Sequence, residues 1–485
     1  MGTHNLPKID VEQTVYPYLG PGRTTADVEQ ARAALEEAYK AKGFQAVAVQ
    51  IPRQSGRGGV IYLNVLEGTV ARLRVHGARY FLPDQIKAGA PSLQEGKVVD
   101  FNQVTRDIVA LNQLPDRRIT PTLTAGDEPG TVNIDLNVKD TLPLHGSLEL
   151  NNRYSAGTSP LRLNGSLSYN NLWQLGHSLG ASFQIAPQNV GDVKVYSAYY
   201  IARFANIPWL SLMLTGTKQD SNVSTLSAVA VAGRGETVGG RLMINLPPGK
   251  DFYHSFSFGM DYKHYNQGLT IAGTRTDTPI SYYPFSASYN ATWAPKNSVT
   301  ELNTGLNFHV RGMGSGQAEF ENNRHGSDGS FIYLRGDLSH THELPQGFQA
   351  FAKVEGQASD QPLVNSEQYA GGGLGTVRGY LEAEQLGDDA IGGTVELRSP
   401  SLLGLVGDKA DEWRLYAFAD GAILTIREPL PEQQDRFNLA SVGVGSRIRL
   451  FDHFNGSIDV AMPFFTQTNT TAHDIVLTFR VWADF

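Results

Sequence analysis

Apolar and polar residues alternate along most of the chain beyond Asp140. In each segment of about ten residues, one set of side chains is largely apolar and the other polar, as expected when successive side chains of a β-strand point to opposite faces. One such segment has the apolar set Leu302, Thr304, Leu306, Phe308 and Val310 and the polar set Glu301, Asn303, Asn307, His309 and Arg311. The alternation predicts a β region at 141–485. By itself it fits either a membrane barrel or a soluble sandwich.

The number of strands and the lengths of their connections favour a barrel. We count sixteen strands, which begin near residues 144, 161, 176, 193, 208, 236, 252, 279, 299, 328, 347, 390, 411, 436, 454 and 474. Connections after odd-numbered strands are mostly long, as at 219–235, 265–278, 313–327 and 424–435. Those after even-numbered strands are mostly tight, as at Pro247–Asp251 and Leu344–Gly347. Apart from the connection near 401–410, this asymmetry is typical of outer-membrane barrels.

The last strand supports the same choice. Its apolar face is continuous and ends on an aromatic residue: Ile475, Leu477, Phe479, Val481, Ala483 and Phe485. A strand buried in a soluble core does not need a terminal Phe. In outer-membrane barrels, a C-terminal strand of this form resembles the signal read by the assembly machinery. We therefore predict a sixteen-stranded antiparallel transmembrane β-barrel in the bacterial outer membrane, in contact with its lipid and, during biogenesis, with the barrel assembly machinery.

Helical periodicity is confined to the first 140 residues. An amphipathic helix is predicted from Thr25 to Gly43, followed by strands at Phe44–Ile51 and Val60–Val65. The pattern then begins again, and its elements are alternation through Leu73 and Val75, a helix with Val104, Ile108 and Leu111, and strands at Ile119–Leu123 and Val132–Val138. This repeat predicts two small α/β domains, at 1–68 and 69–140, ahead of a barrel at 141–485.

Composition excludes several classes of protein. The net charge of −8 argues against a nucleic-acid partner, and no run of about 18 apolar residues predicts a membrane helix. The chain has no Cys, so disulfides and thiolate metal sites are excluded. No motif predicts an enzyme, a cofactor or a metal site. The opening Met1–Pro7 has no apolar core and is no signal peptide. An exported protein needs one, so we expect that the start of the chain is truncated, processed or differently assigned.

A glycine-dense segment, Gly371–Tyr380, interrupts the series of strands. It lies in the longest connection, 359–389, after the eleventh strand and on the outer side of the predicted barrel. If the strands close, this loop is the best candidate to fold inward and fill the lumen, with Arg378 as its anchor. A mobile surface loop with a solvated Arg378 is the alternative. A phosphate-binding loop fits less well, because no strand-to-helix transition and no Gly-Lys-Ser/Thr follows.

A set of short motifs carries a family resemblance through its order and spacing. The motifs are Ala38-Tyr39 with Gly43-Phe44, Val65–Gly68, Pro129–Val132 leading into Asp140–Pro143, Asn151–Tyr154, Tyr169–Leu172 with Leu175–His177, Val377–Tyr380, Gly387–Asp389 and Phe418–Asp420. Over nearly its whole length the chain resembles the transporters of two-partner secretion, the TpsB proteins of the ShlB/FhaC/HecB haemolysin secretion/activation family in the BamA-like superfamily. The resemblance implies two periplasmic POTRA domains and a sixteen-stranded barrel.

Two departures from the family pattern are visible. A first POTRA domain normally opens with a strand, preceded by a linker and a plug helix, whereas here Leu6–Asp10 leads almost directly to Tyr16–Gly20. We therefore expect the first POTRA domain to lack its first strand, and no plug helix is visible. The family's Phe-x-Asp-x-Gly motif reads Phe418–Ala422 here, with its Gly one position early and Asp420 kept.

Strand alternation supplies partners for Arg378. On the thirteenth strand, the lipid-facing set is Trp413, Leu415, Ala417 and Ala419. The residues between and after them, Arg414, Tyr416, Phe418 and Asp420, therefore face inward. On the twelfth strand the inward set is Thr394, Glu396 and Arg398. A guanidinium in a partly dehydrated lumen needs a carboxylate, and its planar fork suits bidentate pairing.

The resemblance and the inward position together make Asp420 the first choice of partner and Glu396 the second. We predict that the pair of Arg378 and Asp420 pins the loop inside the pore in a conformation needed for secretion. The predicted lock comprises Val377, Arg378, Gly379, Tyr380, Glu396, Phe418 and Asp420. We also predict that two polar pairs line the lumen, His340 with His342 and Arg447 with Arg449.

The resemblance implies a transporter that recognises an unfolded exoprotein, hemolysin- or adhesin-like and with an N-terminal secretion domain, through its POTRA domains and passes it through the barrel. An extended cargo segment can add to an exposed strand edge, for which Gln45–Ile51 and Val132–Val138 are candidates; otherwise the modules are spacers. The alternative is an assembly factor of BamA or TamA type, which two POTRA domains disfavour because such factors usually carry more. A passive porin leaves the N-terminal modules unexplained.

Overall fold

A computed structural model describes the chain apart from residues 1–4, 57, 222, 225–230, 233, 272–273 and 404–409. It forms two compact units. The first contains Met1–Pro143 with the short segment Asn170–Gly176, and the second contains Leu144–Tyr169 with His177–Phe485. None of the helices in the described ranges is long and apolar enough to cross a membrane.

The first module is built on one long helix. Its helices are α1 (Lys8–Val15), a 3₁₀ turn (Tyr16–Tyr18) and α2 (Thr25–Ala41), and its strands are β1 (Val47–Gln50) and β2 (Asn64–Glu67). A capping box begins α2, because the Thr24 hydroxyl accepts from the backbone of Asp27 while the Asp27 carboxylate accepts from the backbone of Thr24. The predicted amphipathic helix buries one face, which contains Ala31, Leu35 and Tyr39. The helix at Lys8–Val15 was not predicted.

Both strands of this module are shorter than predicted. The antiparallel ladder runs from Val47–Glu67 to Gln50–Asn64 and then stops. Continuing this register would place Pro52 opposite Tyr62, and Pro has no N–H to donate. The side-chain amide of Gln54 bonds both backbone groups of Tyr62 instead, at 2.7 Å each. Among the described residues the sheet has two strands.

The second module is a three-stranded sheet packed against helices. Its elements are β3 (Thr69–His76), α3 (Pro83–Ala88), a 3₁₀ turn (Pro91–Leu93), α4 (Phe101–Leu111), β4 (Arg117–Ala125) and β5 (Thr131–Asp140). The strand order is β3-β5-β4, with β3 parallel and β4 antiparallel to β5. The prediction that Val132–Val138 is a docking edge was therefore wrong, because β5 is paired on both sides. The edges of this sheet are β3 and β4.

Asp140, the last residue of β5, fixes the start of α3. Its carboxylate accepts hydrogen bonds from the backbone N–H groups of Arg79, Tyr80 and Phe81, the shortest at 2.8 Å. The carbonyl of Tyr80 in turn accepts from the side chains of Asn171 and Gln174 in the segment Asn170–Gly176. The Asp140 carboxylate thus orders the bend at residues 79–81. The same bend presents the Tyr80 carbonyl to Asn171 and Gln174.

Replacement of Asp140 by Ala should loosen this bend. Three backbone donors would lose their acceptor, which costs about 1–3 kcal/mol for a buried donor and less where water replaces it. We expect faster hydrogen exchange at residues 79–81 in the full-length protein. Asp135→Ala is the matched control on the same strand, because its carboxylate contacts the His76 ring at 3.2 Å and not this bend. Equal exchange at 79–81 in both variants would contradict the assignment.

The second unit is a closed antiparallel barrel. Its strands are β6 (Leu144–Asn151), β7 (Arg162–Leu172), β8 (His177–Ile185), β9 (Lys194–Arg203), β10 (Leu210–Asp220), β13 (Gly235–Asn245), β14 (Phe252–Ile271), β15 (Thr274–Tyr282), β16 (Phe285–Trp293), β17 (Ser298–His309), β18 (Phe331–Glu343), β19 (Gln349–Ser359), β22 (Asp389–Arg398), β23 (Ala410–Thr425), β24 (Arg436–Leu450), β25 (Phe454–Pro463) and β26 (Val476–Asp484). The connections contain β11 (Val223–Ser224), β12 (Val231–Ala232), α5 (Gln317–Asn323), a 3₁₀ turn (Pro345–Gly347), β20 (Tyr369–Gly371) and β21 (Gln385–Gly387).

The barrel has sixteen strand positions, as predicted, because β15 and β16 both pair with β14 and share one position. These two strands are separated at Tyr283-Pro284, where Pro supplies no N–H to the ladder. The predicted long connection at 265–278 was wrong, since β14 and β15 extend through most of it. The sequence of this segment is mostly small and polar and lacks a clear alternation, which hid the two strands.

Alternation sorts the wall into an outward apolar face and an inward polar face. Leu334 and Leu338, on the outward face, are 52% and 49% exposed in the isolated chain. His340 and His342 lie an even number of residues from these leucines on the same strand and therefore also face outward. The prediction that this pair lines the lumen was wrong. The His340 ring contacts the hydroxyl of Thr300 on the neighbouring strand at 2.8 Å. The residue types suggested a lumen lining, whereas the two-residue period decides the face.

The barrel closes between its first and last strands over a short ladder. Five residue pairs join β26 to β6, from Arg480–Asn151 to Asp484–Ser147. Beyond them, Gly146 and Phe485 exchange two backbone hydrogen bonds at 3.1 Å. A salt bridge of 2.7 Å between Arg480 and Glu149 also crosses this seam. The neighbouring pairs β25–β26 and β6–β7 each have eight, so the seam is a comparatively weak part of the wall.

Candidate functional site

The connection between β19 and β22 folds into the barrel as a hairpin. The short strands β20 and β21 pair at its base, which leaves residues 372–384 as its tip. The turn into the tip needs glycine: Gly372 and Gly373 have φ of 101° and 93°. A Cβ on Gly373 would lie 2.4 Å from the Glu382 carboxyl group, and one on Gly372 would lie 2.6 Å from the carbonyl of Leu381. The glycine cluster therefore lets the tip fold tightly back on itself.

Arg378 is buried at the end of this tip, with 5% of its surface exposed. Its Nε and Nη2 donate to the two carboxylate oxygens of Asp420 at 2.7 Å each, and its backbone N–H donates to the same carboxylate at 3.0 Å. Its Nη1 donates to Oε1 of Glu396 at 2.7 Å. The structure thus brings Arg378 together with both predicted partners, in a bidentate fork to Asp420.

Further charges extend this contact into a network. Glu396 pairs with Arg398 at 2.8 Å and lies 3.7 Å from Arg447. Asp459 on β25 lies 3.6 Å from Arg378 and accepts from the hydroxyl of Tyr416 at 2.8 Å. The network contains three guanidinium groups, those of Arg378, Arg398 and Arg447, and three carboxylates, those of Glu396, Asp420 and Asp459. A balanced set of this kind meets the requirement that buried charges be paired and hydrogen-bonded.

Aromatic rings hold the planes of the guanidinium groups. The Phe418 ring lies 3.4 Å from the guanidinium carbon of Arg378, and the Tyr416 ring lies 4.5 Å from that of Arg447. Both distances are in the range of cation–π attraction. Phe418 and Asp420 are two residues apart on β23, so one inward face supplies both the ring and the carboxylate. Arg414, on the same face, bonds the carbonyl oxygens of Gly347 and Ser399 and takes no part in the network.

The neighbours of Arg378 pack the tip against the wall. Val377 is fully buried in a cluster with Tyr369, Ala422, Leu424 and Leu439. The Tyr380 hydroxyl lies 3.0 Å from the carbonyl oxygen of Phe465 and 3.2 Å from that of Ala440. Gly379 has φ of 89°, and a Cβ there would lie 3.1 Å from that of Ala461. All seven residues of the predicted lock therefore meet at one place.

Two more carboxylates of the tip have partners that sequence reasoning did not identify. Glu382 accepts from Nε of Arg153 at 2.7 Å. Glu384 accepts from the Thr470 hydroxyl at 2.9 Å and from the backbone of Asn469 at 2.8 Å. Arg153 lies in one of the motifs of the family resemblance, so its charge was a usable signal. Asp459 could also have been found, since it is an inward carboxylate on β25, two strand positions from Asp420 on β23.

The site holds no arrangement typical of a metal centre. In the ranges that the structure describes, no group of three or more His, Cys, Asp or Glu side chains is placed to bind a metal ion. The oxygens of Asp420 and Glu396 are directed at guanidinium groups instead. The chemistry that this geometry provides is therefore the fastening of a loop.

These features define a class: an outer-membrane β-barrel with N-terminal POTRA modules and a lumen-filling loop. A family model of the ShlB-type POTRA domain matches residues 1–68, and the model of the haemolysin secretion/activation protein ShlB/FhaC/HecB matches residues 130–448. The chain belongs to this ShlB/FhaC/HecB family of two-partner secretion outer-membrane transporters. It is a barrel of the outer membrane, and its POTRA domains lie in the periplasm, as in the rest of this family.

Two curated relatives of this chain are transporters by name. The outer membrane transporter CdiB of Dickeya dadantii is 24% identical over 370 residues, which cover 71% of this chain and 61% of the relative. The chain thus spans about three fifths of that protein's length. The heme/hemopexin transporter protein HuxB of Haemophilus influenzae is 18% identical over 75% of this chain and 64% of its own length.

Two solved structures have the same fold. CdiB from Escherichia coli aligns over 100% of this chain and 89% of its own, with a TM-score of 0.71 and 19% identity. BamA from Haemophilus ducreyi, lacking POTRA domains 1–3, aligns over 99% of this chain and 98% of its own, with a TM-score of 0.59 and 12% identity. At these identities the likeness supports the fold alone.

Replacement of Gly443 by Ala should loosen the lock without removing a charge. A Cβ there would lie 2.4 Å from the Phe418 ring and 2.3 Å from the carbonyl oxygen of Val460, so the ring beneath Arg378 would have to shift. Overpacking of this kind costs about 1–3 kcal/mol. We expect faster hydrogen exchange at residues 376–380 and a lower unfolding temperature in detergent.

Gly216→Ala is the matched control for this change. Gly216 also lies on a barrel strand, but a Cβ there would meet no atom within 4 Å. Unchanged exchange at 376–380 in Gly443→Ala, at the level of this control, would show that Phe418 does not position Arg378.

Proposed function

We propose that this protein exports an unfolded exoprotein through its barrel, with the loop between β19 and β22 as the gate of the pore. The observation that carries the proposal is the fastening of Arg378 to Asp420 and Glu396. A buried guanidinium with two carboxylate partners is a costly arrangement for a passive wall. It is a suitable arrangement for a loop that must be held in one position and released to another.

The lumen beside the loop supports a gating role. A cavity of about 400 Å³ lies there, lined by wall residues such as Asn290, Asn303 and Asp337 and by Thr376 and Glu382 of the tip. Amide, hydroxyl and carboxylate groups suit the passage of a hydrated polypeptide backbone, because they exchange hydrogen bonds with it without binding one sequence. Since the tip occupies the lumen, an extended chain can pass only when the tip moves.

Family membership implies a secreted exoprotein partner, and we propose that the POTRA modules capture it. An extended segment can add to a sheet edge through main-chain hydrogen bonds. The stretch Gln45–Ile51 contains β1, which in the described residues pairs with β2 on one side, so it stays a candidate. The cargo is a hemolysin- or adhesin-like protein with an N-terminal secretion domain. The polypeptide passes outward without nucleotide hydrolysis.

The Arg378→Ala variant tests the proposed function. The substitution leaves Asp420 and Glu396 short of a partner, and breaking a buried pair of this kind costs about 3–5 kcal/mol. The closed ladder of barrel hydrogen bonds stays intact. We therefore expect that the barrel still assembles, as judged by its heat-modifiable mobility in gels, while the amount of exoprotein in the medium falls severalfold.

Arg449→Ala provides the control for this experiment. Arg449 is an arginine of the same wall, but it donates to the backbone carbonyl of Asp452 and lies outside the lock. Secretion by this variant should equal that of the unaltered protein. Normal secretion by Arg378→Ala would contradict a gating role for the lock.

A second candidate function is the insertion of other barrels through the seam between β6 and β26. The short ladder of five pairs favours it, and the BamA fold likeness is compatible with it. Leu148 and Ala483 are direct partners across the seam. Opposed residues of antiparallel strands have Cα atoms about 4.5–5.5 Å apart, which a disulfide can bridge. The chain has no other Cys to interfere.

Closing the seam separates the two functions. If the polypeptide passes along the lumen, a disulfide in the double variant Leu148→Cys, Ala483→Cys should not change exoprotein secretion. The oxidised variant should secrete as much exoprotein as the same variant does with its cysteines reduced. The same variant treated with a reductant is the control. Loss of secretion on oxidation, or loss of other barrels from the membrane, would favour lateral opening and the assembly-factor function.

A further inference from the structure

The base of the loop hairpin carries a second anchor, on a different part of the wall. Glu367, just before β20, is 1% exposed. Its carboxylate accepts from the Lys263 ammonium at 2.6 Å, the Tyr282 hydroxyl at 2.5 Å and the Tyr333 hydroxyl at 2.7 Å. These three donors come from β14, β15 and β18. Neither sequence alternation nor the motifs of the family resemblance pointed to Glu367.

A second buried carboxylate ties the two ends of the hairpin base together. Asp388, just before β22, is fully buried. It accepts from the backbone of Leu363 at 2.9 Å and from the Gln368 side chain at 2.9 Å, both at the start of the loop. It also accepts from the backbone of Arg427 at 2.8 Å and from the Arg324 guanidinium at 3.4 Å. The base is therefore closed on itself and bonded to the wall.

Apolar packing reinforces the base. Leu363 and Val364 are 0% and 1% exposed, in a cluster with side chains of β14, β15, α5 and β18: Tyr265, Ile280, Tyr282, Phe320, Phe331 and Tyr333. The burial of two aliphatic side chains among aromatic rings adds a hydrophobic contribution to the polar contacts of Glu367. The tip, by contrast, is bounded at both ends by left-handed backbone, at Gly372 and Gly373 and at Ala383, whose φ is 53°.

The two anchors differ in what they leave behind when they open. If Arg378 withdraws, Glu396 keeps Arg398 and Arg447, and Asp459 keeps Tyr416, so Asp420 bears most of the loss. If Glu367 withdraws, Lys263 loses its carboxylate with only 16% of its side chain exposed, and two buried phenols lose their acceptor. Each opening leaves one buried charge without its partner, Asp420 in the first case and Lys263 in the second. Loss of Glu367 also leaves two buried phenols without their acceptor, and it is therefore the more expensive change.

We propose that Glu367 is a positioning residue that holds the base of the hairpin in place while the tip, residues 372–384, swings out of the lumen about Gly372-Gly373 and Ala383. The inference rests on the proposed function, since it divides the gate into a fixed part and a moving part. It assigns release to the Arg378 anchor and retention to the Glu367 anchor.

Two single-cysteine variants report on the two parts separately. Val364 in the base and Val377 in the tip are 1% and 0% exposed, and replacement of Val by Cys changes little in size or polarity. The native chain has no Cys, so labelling of intact cells by a membrane-impermeant maleimide reports these positions alone. Both cysteines should react slowly in the otherwise unaltered protein.

Second substitutions then separate the anchors. Arg378→Ala should raise the labelling rate of the tip cysteine by about tenfold or more while leaving the base cysteine slow, as expected when one local opening becomes easier and another does not. Glu367→Gln should raise the rate of the base cysteine. Tyr333→Phe, which removes one donor and keeps the ring, should give a smaller rise there and serves if Glu367→Gln does not assemble.

The decisive comparison uses cells that produce the secreted partner with a folded domain fused to its C-terminus, so that translocation stalls. The tip cysteine should then become reactive and the base cysteine stay protected. An equally fast reaction of both cysteines, in the stalled state or in Arg378→Ala, would overturn the hinge. A general loss of barrel structure would raise the two labelling rates together and would not reproduce the expected difference between them.

Failure of the hinge and failure of the proposed function give different results. Without a two-partner transport activity, the unaltered protein releases no exoprotein and the stalled partner changes neither rate. With transport intact and the hinge wrong, exoprotein appears in the medium while the base cysteine reacts as fast as the tip cysteine.

Discussion

A guanidinium group keeps its charge wherever the chain takes it, and this constraint organises the interior of the barrel. Arg378 is carried by a loop to a place in the lumen where only 5% of its surface is exposed, so the wall must present carboxylates to it. Asp420 and Glu396 do so from adjacent strands, β23 and β22. The remaining arginines, the aromatic rings and Asp459 follow from the need to pair each of those charges in turn.

The same constraint explains the division of labour along β23. Its outward side chains, such as Leu415, are apolar, while its inward side chains supply Tyr416, Phe418 and Asp420. A shift of one residue in register would exchange the two faces and direct the carboxylate into lipid. β23 is paired with β22 on one side and with β24 on the other. The position of the lock therefore depends on the register of the barrel strands.

Sequence alternation predicted the strand positions, because a two-residue period fixes a face without reference to the rest of the fold. Together with the family resemblance, it also predicted the partners of Arg378. The prediction for His340 and His342 was wrong because it followed the residue type instead of the two-residue period. Glu367 and Asp388 escaped prediction for a different reason. They lie in irregular backbone, where no period applies. The donors to Glu367 come from strands up to about a hundred residues away, and the donors to Asp388 come from other non-strand segments. The central place of β5 was likewise a matter of sheet order, which spacing alone does not determine.

The charge balance of the lock has an electrical consequence. With the tip in place, three guanidinium groups face three carboxylates, and this part of the lumen carries no net fixed charge. The tip, residues 372–384, carries Arg378 together with Glu382 and Glu384, a net charge of −1. When it leaves, it uncovers Arg153 as well as Asp420, and the lumen gains one net positive charge. In a narrow, low-dielectric passage such a charge raises the local concentration of counter-ions. An open pore should therefore favour anions over cations more than the closed one, and a reversal potential measured across a salt gradient would register that difference.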